Sequence, residues 1–264
     1  MRSAFASILS AGLLFAHPDA RELVRQSIRN GEEAWRETAG YSCIKRVVEQ
    51  EGAGSRTGSV DLYDIIPLGY GAAFEEHVQH NGEPLSPEER LRIGKELEKK
   101  RAEPPALKQR HFEKEAAERS YMREVPDAFD FKITGEESLP TGPAWVLKAI
   151  PRPGYTPRSR YAHAFAKMRG TLWIDKKDMQ WVKADAEAAE GVTFGLFLAH
   201  LARGSRITLE QRKLPDGTWV PSRITVRAEA RTFLVFNHNL DQDITYTNYR
   251  KAESLAAGGA APPR

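Results

Sequence analysis

The chain has 264 residues, long for an average domain but within reach of a single β-rich sandwich or barrel. With 28% charged, 41% hydrophobic and 9% aromatic residues it is neither wholly disordered, nor collagenous, nor a polytopic membrane protein. Thirty-nine Lys and Arg against 36 Asp and Glu leave +3, too little to make nucleic acid the default partner, and the single cysteine, Cys43, excludes an intrachain disulfide, a CxxC redox pair and a multi-cysteine zinc site.

Met1-Arg2 precedes the apolar run Ala4–Ala16, AFASILSAGLLFA. Thirteen helical residues reach about 20 Å, short of a bilayer core of about 30 Å. The run has the length and basic start of a secretory h-region, so residues 1–18 are expected to be a signal peptide and the protein to be exported. Leu14 is bulky where a cleavage site prefers a small residue, and the competing reading is a buried N-terminal helix. The other end, 253–264, is small residues and proline, expected as a disordered tail. Between them, 19–252 reads as one domain.

Asp19 is placed to cap a first helix, with Glu22 positioned to return the contact. Val24, Ile28, Gly31 and Trp35 share one face of that helix, which ends near Gly40. Tyr41–Gln50 is β-branched and predicts a strand containing Cys43 as a small buried hydrophobe. Gly52–Ser59 predicts a hairpin loop, Val60–Ile66 the return strand, and Phe74–His80 a further strand stopping at the turn Asn81-Gly82. Ser86-Pro87-Glu88-Glu89 is a helix start with cap, proline and reciprocal glutamate. Half of residues 86–125 are charged, 11 basic and 9 acidic, and Pro104-Pro105 divides them into two helices, expected as a charged satellite insert.

From Phe129 the apolar period is two. Strands are expected at Phe129–Thr134, Trp145–Ile150, Thr171–Asp175, Trp181–Glu187, Arg206–Leu214, Trp219–Ala230 and around Ile244 and Tyr246. Val192–Leu201, VTFGLFLAHL, is read as a helix with Phe194, Phe197, Leu198 and Leu201 on one face, either lining an apolar cavity or filling the core. The fold class is α+β, mainly β: a strongly curved antiparallel sheet, an incomplete barrel, wrapped around helices.

The motif series Gly170–Asp175 (GTLWID), Trp181–Glu187 (WVKADAE), Gly195–Leu201 (GLFLAHL), Ile207–Gln211 (ITLEQ), Asp216–Pro221 (DGTWVP) and Thr245–Lys251 (TYTNYRK) resembles bacterial outer-membrane lipoprotein-sorting, Lol-type carrier proteins. Asp61–Tyr70 (DLYDIIPLGY) and Asn81–Glu89 (NGEPLSPEE) are similar to a longer, uncharacterised exported branch with this fold. The resemblance implies an unclosed barrel whose apolar cavity accepts acyl chains, here lined by Phe194, Phe197, Leu198, Leu201, Ile207, Leu209, Ile224 and Val226. It implies a periplasmic binding module for an acyl chain, lipid or lipoprotein in envelope lipoprotein sorting. The charged insert at 86–125 departs from the compact carriers and is placed to change the partner or cover the cavity mouth. An envelope regulator or sensor of the same fold that binds another protein, or a hydrolase without a motif, are the alternatives.

No catalytic signature is present, whether G-x-S-x-G, P-loop, GxGxxG after a strand or HExxH, so no catalytic residue and no cofactor is assigned. Residues 151–170 are basic and aromatic; Arg158, Arg160 and Tyr161 form a candidate rim for an anionic headgroup or a partner, against a plain solvated connection. His77 and His80 form an HxxH whose odd spacing puts them on opposite faces of a strand, so no metal is expected there. His238, Asp241 and Asp243 read as a polar turn.

Overall fold

The computed structural model describes residues 18–51, 56–159, 161–194, 199–232 and 236–252. The apolar leader and the 253–264 tail lie outside the described residues. The first helix, α1 (Ala20–Thr38), starts on the Asp19 side chain, which accepts from the Arg21 N–H at 2.9 Å. Glu22 does not return that contact. Its carboxylate pairs with Arg25 and Arg29 instead, because a charged partner makes a stronger bond to a carboxylate than a neutral N–H does.

Four strands follow: β1 (Tyr41–Glu51), β2 (Arg56–Gly69), β3 (Ala72–His80) and the short β4 (Glu83–Pro84). β2 begins inside the expected loop, at Arg56. Asn81 and Gly82 turn the chain between β3 and β4 with φ of +52° and +84°, the left-handed backbone that an Asn-Gly hairpin turn requires. The insert is two helices, α2 (Pro87–Arg101) and α3 (Pro105–Glu118), split at Pro104-Pro105. The capping box at Ser86 and Glu89 is present in both directions. A 3-10 turn, Arg119–Glu124, and the short α4 (Val125–Ala128) lead back to the sheet.

The second half is a meander of β5 (Phe129–Leu139), β6 (Gly142–Pro151), β7 (Met168–Asp175), β8 (Trp181–Ala188), β11 (Arg206–Lys213), β12 (Trp219–Thr232) and β13 (Phe236–Lys251). Between β8 and β11 lie β9 (Val192–Phe194) and β10 (Ala199–Leu201), which pair with each other, β10 also adding to β12 through His200 and Leu201. These replace the expected helix at Val192–Leu201. A short apolar run does not separate helix from buried strand by periodicity, and here the open edge of β12 beside Ala230 and Arg231 supplied the strand partner.

Among the described residues thirteen strands form one antiparallel sheet, eleven of them in the order β4-β3-β2-β1-β13-β12-β11-β8-β7-β6-β5, with β4 and β5 unpaired to each other. The first and last strands are neighbours, joined along Tyr41–Glu49 and Gln242–Lys251. The barrel is therefore unclosed. α1 contacts β5, β7, β8 and β12, so the sheet bends round this helix. Leu23, Val24 and Ile28 of α1 bury against Leu147 and Ile174, and Ala34 joins Ala144, Val182 and Trp219 in a second cluster. A Cβ at Gly31 would lie 2.6 Å from Trp181 Nε1, so glycine is what seats the helix on that indole. Among the described residues no helix is long and apolar enough to cross a membrane.

Candidate functional site

A cavity of about 610 Å³ lies between α1, the concave face of the sheet and the end of the insert. Much of its wall follows ordinary strand alternation: Tyr41 and Cys43 on β1, Ala73 and Glu75 on β3, Leu209 and Gln211 on β11. Two pairs break that alternation, each across a bulge. On β12, Gln211 faces Pro221 while Glu210 faces Arg223, so Ser222 is extra and both Pro221 and Ile224 reach the cavity. On β13, Ser42 faces Arg250 while Ile44 faces Thr247, with Asn248 in the left-handed region at φ +54°; Tyr246 and Tyr249 both reach the cavity as a result.

The insert supplies the roof. Phe112 of α3 stacks on Trp35 of α1 at 4.9 Å with the rings 6° apart. The Arg119 guanidinium lies 4.9 Å from the Trp35 ring centre, and that of Arg36 lies 5.6 Å from the Phe112 ring. A Cβ on Gly71 would meet the Phe112 ring at 2.4 Å, so the β2–β3 turn is the seat of this roof. Ile93 and Leu97 of α2 are buried, and the buried Lys108 of α3 donates to the carbonyls of Leu68 and Arg101 at 3.2 and 2.9 Å. The expected satellite is thus docked on the hairpin and walls the cavity.

Burial dominates the titration of the floor. It pushes the Cys43 thiol up to about 11 and the Tyr246 phenol up to about 12, and it raises Tyr249 as well. Three carboxylates that reach the cavity are ion-paired: Glu32 with Arg123 in a two-pronged contact, Glu75 with Lys45 at 2.7 Å, and Glu210 with Lys183 at 3.8 Å. The wall combines apolar and aromatic side chains with neutral hydroxyls and a neutral thiol, and Glu115 and Arg119 also line it.

Of the residues expected to line a cavity, Leu209 and Ile224 do so. Ile207 and Val226 pack with Ala164, Ala188 and Ala228 in a separate cluster. Phe194 and Leu201 stand on β9 and β10, and Phe197 and Leu198 lie outside the described residues. Of the expected rim, Arg158 pairs with Asp127 at 3.0 Å and Glu124 at 3.8 Å, Tyr161 packs its ring 5.5 Å from the cavity residue Tyr121, and Arg160 lies outside the described residues. Trp35, Cys43, Phe112, Tyr246 and Tyr249 were not assigned a site role from sequence. Asn248, tolerant of the left-handed region, was the available signal for the β13 bulge.

Two polar clusters also differ from expectation. Asp241 and Asp243 pair with Arg227 and Arg223, tying β12 to β13. His77 and His80 do not point to opposite faces. His77 faces Tyr63, Gln79 faces Leu62 and His80 faces Asp61, so Val78 is an extra residue and the alternation is reset between the two histidines. His77 Nε2 and His80 Nδ1 each lie 2.8 Å from Asp61 Oδ1. Burial raises the Asp61 carboxyl, but the two imidazoles outweigh it and hold the group below the usual aspartate range.

No family model and no curated protein matches the chain. Among solved structures it is similar to an outer membrane lipoprotein-sorting protein domain from Vibrio parahaemolyticus, at 12% identity over 90% of this chain and 95% of that one, with a TM-score of 0.36. It is similar to a LolA superfamily protein from Nitrosomonas europaea, at 11% identity over 90% and 96%, with a TM-score of 0.32. It is also similar to a chain of the MucA/MucB complex of Pseudomonas aeruginosa, at 11% identity over 89% and 100%, with a TM-score of 0.26.

Proposed function

We propose that the chain is a periplasmic binding module that takes an acyl chain, from a lipid or a lipoprotein, into the cavity beneath α1, and that it binds without transforming its ligand. The cavity carries this reading. Its volume of about 610 Å³ falls within the roughly 300–1,000 Å³ of small-molecule sites. Ile28, Trp35, Phe112, Leu209 and Ile224 give it apolar walls. Each methylene moved from water to such walls contributes about 0.8 kcal/mol. Arg119, which reaches the cavity beside Trp35, offers positive charge to a carboxylate or phosphate head. A thiol held protonated at neutral pH, as burial holds Cys43, is a weak nucleophile, which supports binding over covalent catalysis. The apolar run Ala4–Ala16 behind a basic start supports the periplasmic location.

The test pairs native mass spectrometry of the purified chain with titration of a fluorescent fatty acid. Wild type should bind one chain per molecule. Ile224→Trp narrows the cavity and should weaken binding at least about tenfold with the unfolding midpoint maintained. No fatty acid bound by wild type, or undiminished binding by Ile224→Trp, overturns the reading. A protein retained one-to-one in place of lipid favours a regulator of the same fold.

A further inference from the structure

The group formed by Asp61, His77 and His80 has no part in the acyl-binding reading, yet it is built as a ligand set. The three donor atoms, one carboxylate oxygen and two imidazole nitrogens, all lie within 4.8 Å of one another. The β3 bulge at Val78 brings this about, since without it the two rings would leave the sheet on opposite sides. Asp61, Tyr63 and Ile65 follow at steps of two on β2, and Ile65 lines the cavity, so the cluster sits on the same concave face, two rungs along. Tyr63 stacks on the His77 ring at 4.7 Å and holds its orientation. Asp61 is mostly shielded, with 15% of its side chain accessible, whereas His80 is 55% accessible and leaves a path from solvent.

We infer that Asp61, His77 and His80 form a binding site for a divalent transition-metal ion, with zinc as its natural occupant. Two neutral imidazoles and a carboxylate are a common zinc donor set with a fourth position left for water. Bonds of about 2.0–2.2 Å in a tetrahedron separate the donor atoms by about 3.3 Å. The two contacts of 2.8 Å therefore open by about half an ångström as the ion enters. A half-exposed ring at the end of a hairpin accommodates that shift.

Two contacts oppose loading. His77 Nε2, the atom offered to the ion, lies 2.9 Å from the Gln79 carbonyl oxygen, a hydrogen bond that the ion replaces. The other involves Asn81. With the ion on Nδ1, a neutral His80 carries its proton on Nε2, and Nε2 lies 3.1 Å from the Asn81 amide nitrogen, also a donor. Asn81 cannot simply turn its amide, because its oxygen already accepts from the Val60 N–H at 2.8 Å. A carboxylate at this position would keep that bond and also accept from Nε2, the arrangement that raises the basicity of metal-bound histidines. Asn81 is thus a positioning residue that weakens the site, and Asn81→Asp should strengthen it.

The experiment is isothermal titration of Zn²⁺ into the untagged full chain, with Co²⁺ absorption as a second readout of coordination geometry. One ion per chain is expected, with a tetrahedral cobalt spectrum. His77→Ala, His80→Ala and Asp61→Asn should each lower affinity about 10–100-fold, and Asn81→Asp should raise it. His111→Ala, an exposed histidine on the insert, should leave affinity unchanged. His80 is exposed, so its variant folds even if Asp61→Asn does not. Absence of saturable one-to-one binding by wild type overturns the proposal. So does a loss in His111→Ala equal to that in His80→Ala.

Discussion

Asp178 shows how much one side chain can organise. Its carboxylate accepts from Lys213 at 2.5 Å and from the Trp219 indole at 2.9 Å, and its backbone carbonyl accepts from Asn30 of α1 at 2.8 Å. The Lys213 contact, helped by the indole and opposed by burial, holds the carboxyl below the usual aspartate range. The unfolded chain therefore takes up a proton here more readily than the folded one. The stabilisation is fully present above the unfolded value of about 3.9 and is lost as pH falls through the lower folded value. The gap in denaturant midpoint between wild type and Asp178→Asn should hold constant from neutral pH to about pH 5 and close below about pH 4. A gap that stays constant down to pH 2 would show that the carboxylate charge is not what stabilises the fold.

At the scale of elements, the insert is decisive. Its surface is charged, with mixed signs at helical spacing, and by composition it belongs to solvent. Besides Phe112 on Trp35, three side chains dock it: Ile93 and Leu97 bury on the sheet side of α2, and Lys108 runs its stem inward to bond two carbonyls that no other side chain satisfies in the described hydrogen bonds. Lys108→Met keeps the stem and removes both bonds. It should cost about 1–3 kcal/mol in unfolding free energy. It should also loosen the roof at Phe112, read as increased proteolysis between Pro104 and Tyr121. A variant as stable and as resistant as wild type would show the insert docks without Lys108.

For the whole molecule, the consequence of an unclosed sheet bent round one helix is a space that the core does not fill. α1 buries Leu23, Val24 and Ile28 against Leu147 and Ile174, while Trp35 and Thr38 of its last turns face the cavity. A ligand that fills this space binds only the folded chain, and at a hundredfold excess over Kd adds about 2.7 kcal/mol. A long-chain fatty acid should raise the melting temperature of wild type. Ile224→Trp should melt like wild type without ligand and show a much smaller shift with it, because the indole narrows the void. A ligand shift retained in full in Ile224→Trp would place the binding site elsewhere.

The local elements were legible in the sequence because their causes are local. Asp19 and Ser86 cap the helices that follow them, Asn81-Gly82 makes its turn, and alternation from Phe129 onward marks strands that the sheet then pairs. Sequence also carried the fold class, since successive hairpins with one apolar face leave few arrangements. What it did not carry was the facing of side chains past a bulge. Val78, Ser222 and the Asn248–Tyr249 step each reset a period of two. Those resets put His80 beside His77, Ile224 beside Pro221, and Tyr249 beside Tyr246. Nor did it carry the state of Val192–Leu201, whose short apolar runs became strands because β12 had an edge to offer. Propensity and period act within a few residues. Register, and with it the cavity wall and the histidine pair, is decided by which strand lies alongside, and only the folded chain contains that information.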